Sequence, residues 1–156
     1  MNVRNAWPSK QSALHRRMAG VTLMELLIVI VVIGILAAIA VPSYRRYLIR
    51  SQRSEAKIAL MQLQTAEEKY YLQNNAYTNN TTGVSPAGLG LPAMSETGKY
   101  DVSVTTFPGG GQSFIASAVP HAGGGQTDDA DCLTFTIDER GTRAITGSST
   151  SQLCWK

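Results

Sequence analysis

One carboxylate stands where a charge is expensive. Glu25 lies at the mouth of an apolar stretch that runs from Leu26 to Val41 without a polar side chain, and a charge there costs on the order of 1 to 3 kcal/mol in lipid unless something uses it. Two uses fit its neighbours. Thr22-x-x-Glu25 before an apolar run has the spacing of a capping box. Alternatively, a buried carboxylate can be matched by an opposite charge on a partner, which recovers much of the burial cost. Cys132 and Cys154 are the only cysteines. An even count in an exported domain points to a bridge, worth roughly 3 kcal/mol by loop closure; a reactive thiol pair is the alternative, without CxxC spacing. Asp128, Asp129 and Asp131 offer oxygen donors to calcium, or form a hydrated acidic surface.

The remaining reactive side chains are sparse. His15 and His121 are the only histidines, too few for a multi-histidine metal site, and His15 falls in a basic segment that a leader peptidase would remove. Gly123-Gly124-Gly125 has no Lys-Ser/Thr after it and is no phosphate cradle. No enzyme, cofactor or metal is expected.

The elements that must hold these residues follow from composition. The chain has 156 residues, 44% hydrophobic and 16% charged, with 14 glycines, enough for one ordinary domain plus an extension. Its net charge of +3 invites a nucleic-acid reading. However, Arg4, Lys10, Arg16 and Arg17 all precede residue 21, and without them ten bases face eleven acids. From Asn74 onward only Lys99, Arg140, Arg143 and Lys156 oppose seven acids. An acidic head disfavours DNA as a partner and leaves Arg140 and Arg143 as the local exception.

A helix over Leu26 to Val41 would be about 24 Å long, and one from Val21 to Tyr44 about 36 Å, enough to cross a hydrocarbon core of about 30 Å. This is a membrane segment or a signal peptide. Arg16 and Arg17, the apolar run and Ala38-Ile39-Ala40 also satisfy a secretory signal cut after Ala40, which would release a soluble domain. Basic residues flank both ends, with Arg45, Arg46, Arg50 and Arg53 on the far side, so charge asymmetry does not set the orientation.

The junction Met18-Ala19-Gly20-Val21-Thr22-Leu23-Met24-Glu25-Leu26-Leu27-Ile28-Val29 resembles the type IV pilin family, whose precursors carry a basic leader ending in Gly, a TLxE-like stretch and a long apolar helix. The resemblance implies cleavage between Gly20 and Val21 by a membrane prepilin peptidase and N-methylation of Val21, where the family usually has Phe. It implies an assembly role for Glu25 and matches Gly34 and Pro42 to family positions. Implied partners are other pilin subunits and the pilus assembly machinery. Implied locations are the inner membrane, with the head in the periplasm, and then the extracellular pilus. Asp131-Cys132-Leu133-Thr134-Phe135 and Cys154-Trp155 are similar to the C-terminal disulfide loop of PilE- and ComP-type members. ComP-type pilins bind DNA for uptake, so the resemblance makes a DNA receptor the second reading.

The expected fold is α+β, a type IV pilin fold. A leader spans 1–20, the apolar half of a long helix 21–44, and a soluble head 45–156. In the head, Ile49, Ala56, Leu63 and Tyr70 recur every seven residues, with Ala59 and Ala66 between them, and predict an amphipathic helix over 45–73, the second half of one long helix that Pro42 kinks or opens by a few backbone bonds. Asn79, Asn80, Gly83, Pro86, Gly88, Gly90 and Pro92 mark a connection over 74–98. Alternation predicts strands at Tyr100–Phe107, Phe114–Val119 and Cys132–Ile137, with a weaker fourth near Thr142–Thr146, within an antiparallel sheet over 99–146. Pro108-Gly109-Gly110-Gly111 reads as a hairpin loop, and a disulfide loop spans 132–154.

Overall fold

The computed structural model describes residues 20–107 and 111–156. The leader up to residue 19, His15 included, and Pro108-Gly109-Gly110 of the expected hairpin loop lie outside the described residues. Helix α1 is Leu23–Asn74; it is followed by strands β1 (Tyr100–Thr106), β2 (Phe114–Pro120), β3 (Phe135–Asp138) and β4 (Arg143–Ile145), and by a short helix α2 (Ser151–Cys154). The chain divides into two units after Ala40.

In the first unit, α1 starts behind Thr22 and is apolar on every side. Its most hydrophobic window has a mean hydropathy of 3.0, with no part of it buried. A helix apolar all round needs a partner on all faces, lipid or other helices. The helix continues through Pro42, which it holds in its interior.

In the second unit, four strands form an antiparallel meander in the order β1-β2-β3-β4. The expected alternation holds: Tyr100, Val102 and Val104 on β1 point into the core between exposed neighbours, and Phe114, Ala116 and Ala118 on β2 and Phe135 and Ile137 on β3 do so between mostly half-buried ones. Val104 faces Ala116 and Ala118 faces Phe135 across the ladder, so small residues on the central strand sit beside bulky ones. The inward face shares one buried cluster with Ala56, Leu60 and Leu63 of α1 and with both cysteines.

Two expectations need correction. The buried line of α1 is Ala56, Leu60, Leu63 and Glu67, whereas Ile49, Ala59, Ala66 and Tyr70 are only half-buried. A seven-residue repeat drifts about 20° per heptad on a straight helix, so the true contact line turns away from Tyr70 and takes in Glu67. The third strand begins at Phe135 and not at Cys132. Residues 132–134 lie along the end of β4 instead, with Leu133 N–H donating to Thr146 O at 2.8 Å and Thr146 N–H donating to Thr134 O at 2.9 Å, while the Cys132 N–H donates to Asp129 Oδ1.

The connection after α1 is irregular but tied to the helix by carboxylates. Glu55 accepts from the Ser95 and Thr97 hydroxyls and the Thr97 N–H, and Ser95 Oγ in turn accepts from the N–H groups of Lys99 and Tyr100. About three turns further along, Glu67 Oε2 accepts the Thr78 N–H at 3.1 Å, and Glu68 accepts the Tyr77 hydroxyl. These bonds supply the partners that a loop without ladder bonds requires.

Glu67 is fully buried and its Oε1 is unpartnered among the described residues. Burial pushes its carboxyl up to about 7; the Thr78 N–H opposes the rise and Glu68 adds to it. In the unfolded chain the group titrates near 4.5. Between these two values the folded state holds a proton that the unfolded chain has released, so stability falls as pH rises through that window and stays reduced above it. The full loss is on the order of 3 kcal/mol. Glu67→Gln is expected to flatten the dependence between pH 5 and pH 7.5, raising the thermal midpoint at pH 8 and leaving it unchanged near pH 4.5, as read by circular dichroism.

Candidate functional site

At the N-terminal junction Gly20, Val21 and Thr22 precede the helix as exposed, non-helical residues. Thr22 Oγ1 accepts the Glu25 N–H at 3.2 Å, and Thr22 O accepts the Leu26 N–H at the same distance. Threonine thus satisfies one of the free donors of the first turn. The reciprocal half of the capping box is absent among the described residues, where the Glu25 carboxylate has no hydrogen-bond or ion-pair partner. Nine residues on, a Cβ placed on Gly34 would meet nothing within 4 Å, which leaves that side of the helix open to close approach.

In the second unit, Cys132 and Cys154 are joined in a disulfide, with Cα atoms 5.9 Å apart. The segment it closes is tight. Ser148 and Ser149 N–H groups donate to Ala130 O and Asp131 O, and Gly147, at φ 133°, passes so close that a Cβ would stand 2.4 Å from Asp131 O. Only glycine fits that approach. Trp155, just past α2, donates through Nε1 to Ala144 O and meets Phe135 edge-on at 5.7 Å. Arg143 lies over its ring, 5.0 Å from the centroid.

The three aspartates that were candidates for calcium are matched to arginines of α1. Arg53 grips Asp129 with two hydrogen bonds of 2.7 Å, with the side chains 13% and 3% exposed. It also reaches Asp131 at 3.9 Å, and Arg45 reaches Asp128 at 3.8 Å. Both Asp129 oxygens are engaged, so the loop presents a guanidinium-filled acidic cradle instead of free oxygens. The hydrogen bonds to Asp129, ahead of the opposing desolvation, hold the Arg53 pKa above its usual value. Burial lowers that of Lys57, helped by the nearby Arg53 and Arg143.

Arg140 and Arg143 do not make one basic patch: Arg140 sits in the turn beside Glu139 at 3.4 Å, while Arg143 turns to Trp155. His121 is half-exposed and 2.9 Å from Asp101 Oδ1. The sequence reading missed Gln126, which is fully buried and donates to the Tyr100 hydroxyl and to Ile49 O while its own Oε1 has no partner among the described residues. It also missed the Arg53–Asp129 pair. Neither has a spacing signal, because the partners are 26, 76 or 77 residues apart.

Comparison with known proteins agrees with this arrangement. Residues 15–41 match the prokaryotic N-terminal methylation motif. Residues 42–136 match the family model described as type IV minor pilin ComP, DNA uptake sequence receptor. Fimbrial protein Q of Moraxella bovis is 35% identical over 133 residues, covering 85% of this chain and 77% of that protein. The type IV major pilin protein PilE1 of Neisseria gonorrhoeae is 43% identical over 90 residues, 58% of this chain and 40% of that protein, so this chain spans less than half of the gonococcal pilin's length. A solved type IV pilin from Shewanella oneidensis aligns at 24% identity with a TM-score of 0.47, covering 69% of this chain and 98% of that one. An apolar helix behind a methylation motif, followed by a disulfide-closed antiparallel sheet, defines a pilin-class protein. The chain belongs to the type IV pilin family.

The Arg53–Asp129 pair yields a sharp contrast. Asp129→Asn takes from a nearly buried guanidinium the carboxylate that grips it, leaving only the exposed Asp131 at 3.9 Å, and is expected to destabilise the head by about 3 kcal/mol. Asp131→Asn, at a carboxylate 59% exposed, is expected to cost less than about 1 kcal/mol. Urea titration of the detergent-solubilised chain, followed by Trp155 fluorescence, measures both.

Proposed function

We propose that the chain is a minor-type structural subunit of a type IV pilus. The observation that carries this reading is the methylation motif placed across an apolar helix that the described chain leaves uncovered. On this reading prepilin peptidase cuts after Gly20, Val21 becomes the methylated N-terminus, and residues 21–44 hold the subunit in the inner membrane with the head, 45–156, in the periplasm. The subunit then passes into the extracellular filament, where the apolar helix exchanges lipid for the helices of other pilins. Dispersion contacts drive that exchange little by little. Glu25 selects the register by meeting the new amine of a neighbouring Val21, a role its unpaired carboxylate supports. Gly34 allows helices to approach closely, and Pro42, with no N–H to donate, loosens the helix where it leaves the apolar run. The work of the protein is assembly, not catalysis.

The test is the mass of the processed subunit, expected to begin at N-methylated Val21. A start at Val41 would instead support a released secretory domain. In the same cells Glu25→Gln, which keeps the cap and removes the charge, is expected to stay membrane-inserted but be lost from sheared filaments; normal incorporation would remove the docking role.

A second reading is favoured by the match of residues 42–136 to a family model described as a DNA uptake sequence receptor. Lys57, Arg143 and Trp155 are the residues we assign to phosphate and base contact in that case, since a cation beside an aromatic face suits both. Retention of duplex DNA by the full chain on filters at low salt, reduced by Arg143→Gln with a shallower salt dependence, is the expected result. Absence of retention at low salt would leave the structural role alone.

A further inference from the structure

The end of α1, the start of the connection and the residues just before β2 meet at one corner of the head, where few bonds hold them. Asn75 turns the chain out of the helix in the left-handed region, at φ 53°, with its N–H donating to Tyr71 O at 2.8 Å. Tyr77 then touches all three segments. Its N–H donates to Gly111 O at 2.7 Å and its hydroxyl to Glu68 Oε1 at 3.0 Å, while its ring lies 4.6 Å from that of Tyr71 and 4.8 Å from that of Phe114. Gln112 closes the corner, accepting from the Tyr71 hydroxyl at 3.0 Å and donating to Asn75 O at 3.1 Å. The next residue, Thr78, donates its N–H to Glu67, which is fully buried and whose Oε1 has no partner among the described residues.

This corner has room for a neutral carboxyl and none for a carboxylate. A buried carboxylate needs several donors or a cation, and Glu67 has one backbone N–H. The charged groups around it have the wrong sign: Glu68 follows it on α1, and Glu139 of the β3–β4 turn joins Glu68 in acting on Tyr77. The cation of that turn, Arg140, is engaged by Glu139 at 3.4 Å, and Asp138 there turns its carboxylate to the N–H groups of Arg140 and Thr142. Lys69, also on α1, is exposed, and no ion pair reaches Glu67 among the described residues. From the connection comes only the Tyr77 phenol, pushed up to about 12 by burial first and then by its bond to Glu68, so it stays neutral. Gly111 and Gln112 bring no ionisable group.

We infer that Glu67 is the pin of a proton-operated clasp: neutral, it holds the start of the connection and Gly111–Gln112 against the end of α1, and on losing its proton it drives them off. The helix cannot yield, because Glu67 lies well inside it, whereas the chain from Asn75 to Asn80 belongs to neither helix nor sheet. Water reaches the carboxylate when that segment lifts about Asn75, and Tyr77 leaves with Thr78 because the two are adjacent. Lifting Tyr77 uncovers the edge of Phe114, a side chain otherwise fully buried. The head thus shows above neutrality an aromatic surface that it hides in acid. The closed corner holds a proton that the open one releases, since the carboxyl titrates at about 7 when buried and near 4.5 when hydrated. Opening therefore grows roughly tenfold per pH unit between those values and levels off above them. The clasp is a local event, distinct from global unfolding, and does not depend on the pilus role.

Hydrogen exchange of the full chain in detergent, read by mass spectrometry at about pH 5.5 and about pH 8 and corrected for the intrinsic rate at each, tests the clasp. The Tyr77 and Thr78 amides are expected to exchange faster than those of β2 at both pH values, and their opening equilibrium is expected to rise roughly thirtyfold from the lower to the higher. Glu67→Gln, which keeps the shape and the acceptor of the neutral acid, is expected to reduce that rise to less than about twofold. Glu68→Gln removes the neighbouring charge and leaves the pin, so most of the rise is expected to remain. Corner amides that keep pace with β2 at both pH values would show that only the whole head opens, and overturn the clasp. A rise that survives Glu67→Gln, or that Glu68→Gln abolishes, overturns Glu67 as its pin. Should Glu67→Gln fail to fold, the wild-type comparison of the corner with β2 decides the clasp and Glu68→Gln decides the pin.

Discussion

An apolar helix surface that its own fold leaves uncovered is the constraint from which the rest of the molecule follows. Sixteen residues from Leu26 to Val41 have no polar side chain, and every one of them is exposed. At about 25 cal/mol per Å² of apolar surface, no such helix persists in water; it exists in lipid or against other helices, and a subunit that moves between those two solvents changes its neighbours without changing its fold. The helix interior satisfies its own backbone, so only the ends need help. Thr22 supplies that help at the start, and this frees the carboxylate three residues later from the duty of capping.

Past Val41 the helix has the opposite task, because one side must be covered by the head. The stripe of Ala56, Leu60 and Leu63 is narrow, and four short strands suffice to bury it. A core of this size needs reinforcement. It comes from the disulfide between Cys132 and Cys154, from the Glu55–Ser95–Thr97 hub that ties the irregular connection to the helix, and from Arg53, which fastens the 128–131 loop next to Cys132. Polar groups on α1 therefore perform two functions: they solvate its outer side and they pin to its inner side the segments that lack ladder hydrogen bonds.

The elements of this fold with a local period were legible in the sequence. Alternation locates β1 and β2 within a residue, and the expected helix end at Gln73 falls one residue short of Asn74. The cysteines paired as an even count in an exported domain would suggest. What stayed hidden depends on contacts distant in sequence. Glu67 replaces an apolar residue on the buried line because a backbone N–H from the connection, Thr78, needs an acceptor there. Gln126 looks like a loop residue and is instead a buried donor to Tyr100. The start of β3 was misplaced because Cys132 and Leu133 have strand-like side chains, but their backbone bonds belong to Asp129 and to the end of β4. At the junction, residue types alone allowed a secretory signal as well as a prepilin; the methylation motif match over residues 15–41 gives the second reading its weight.

Charge shows why a tally by segment can mislead where a contact does not. Counted from Asn74 onward the head is acidic, with four bases against seven acids; counted from Arg45 it has ten of each. The second boundary is the physical one, because Asp128, Asp129 and Asp131 are matched to arginines on α1 that the first boundary excludes. Their charge is consumed locally and contributes little to any distant field, since exposed pairs are screened within about 10 Å at ordinary salt. With those acids neutralised, Arg46 and Arg50 beside the apolar run make no ion pair among the described residues, and Arg143 lies over the Trp155 ring with Lys57 nearby. The argument from an acidic head against an anionic partner therefore loses most of its force. What replaces it is positional. Arg46 and Arg50 share one face of α1 four residues apart, and Arg143 lies beside Trp155 on the head.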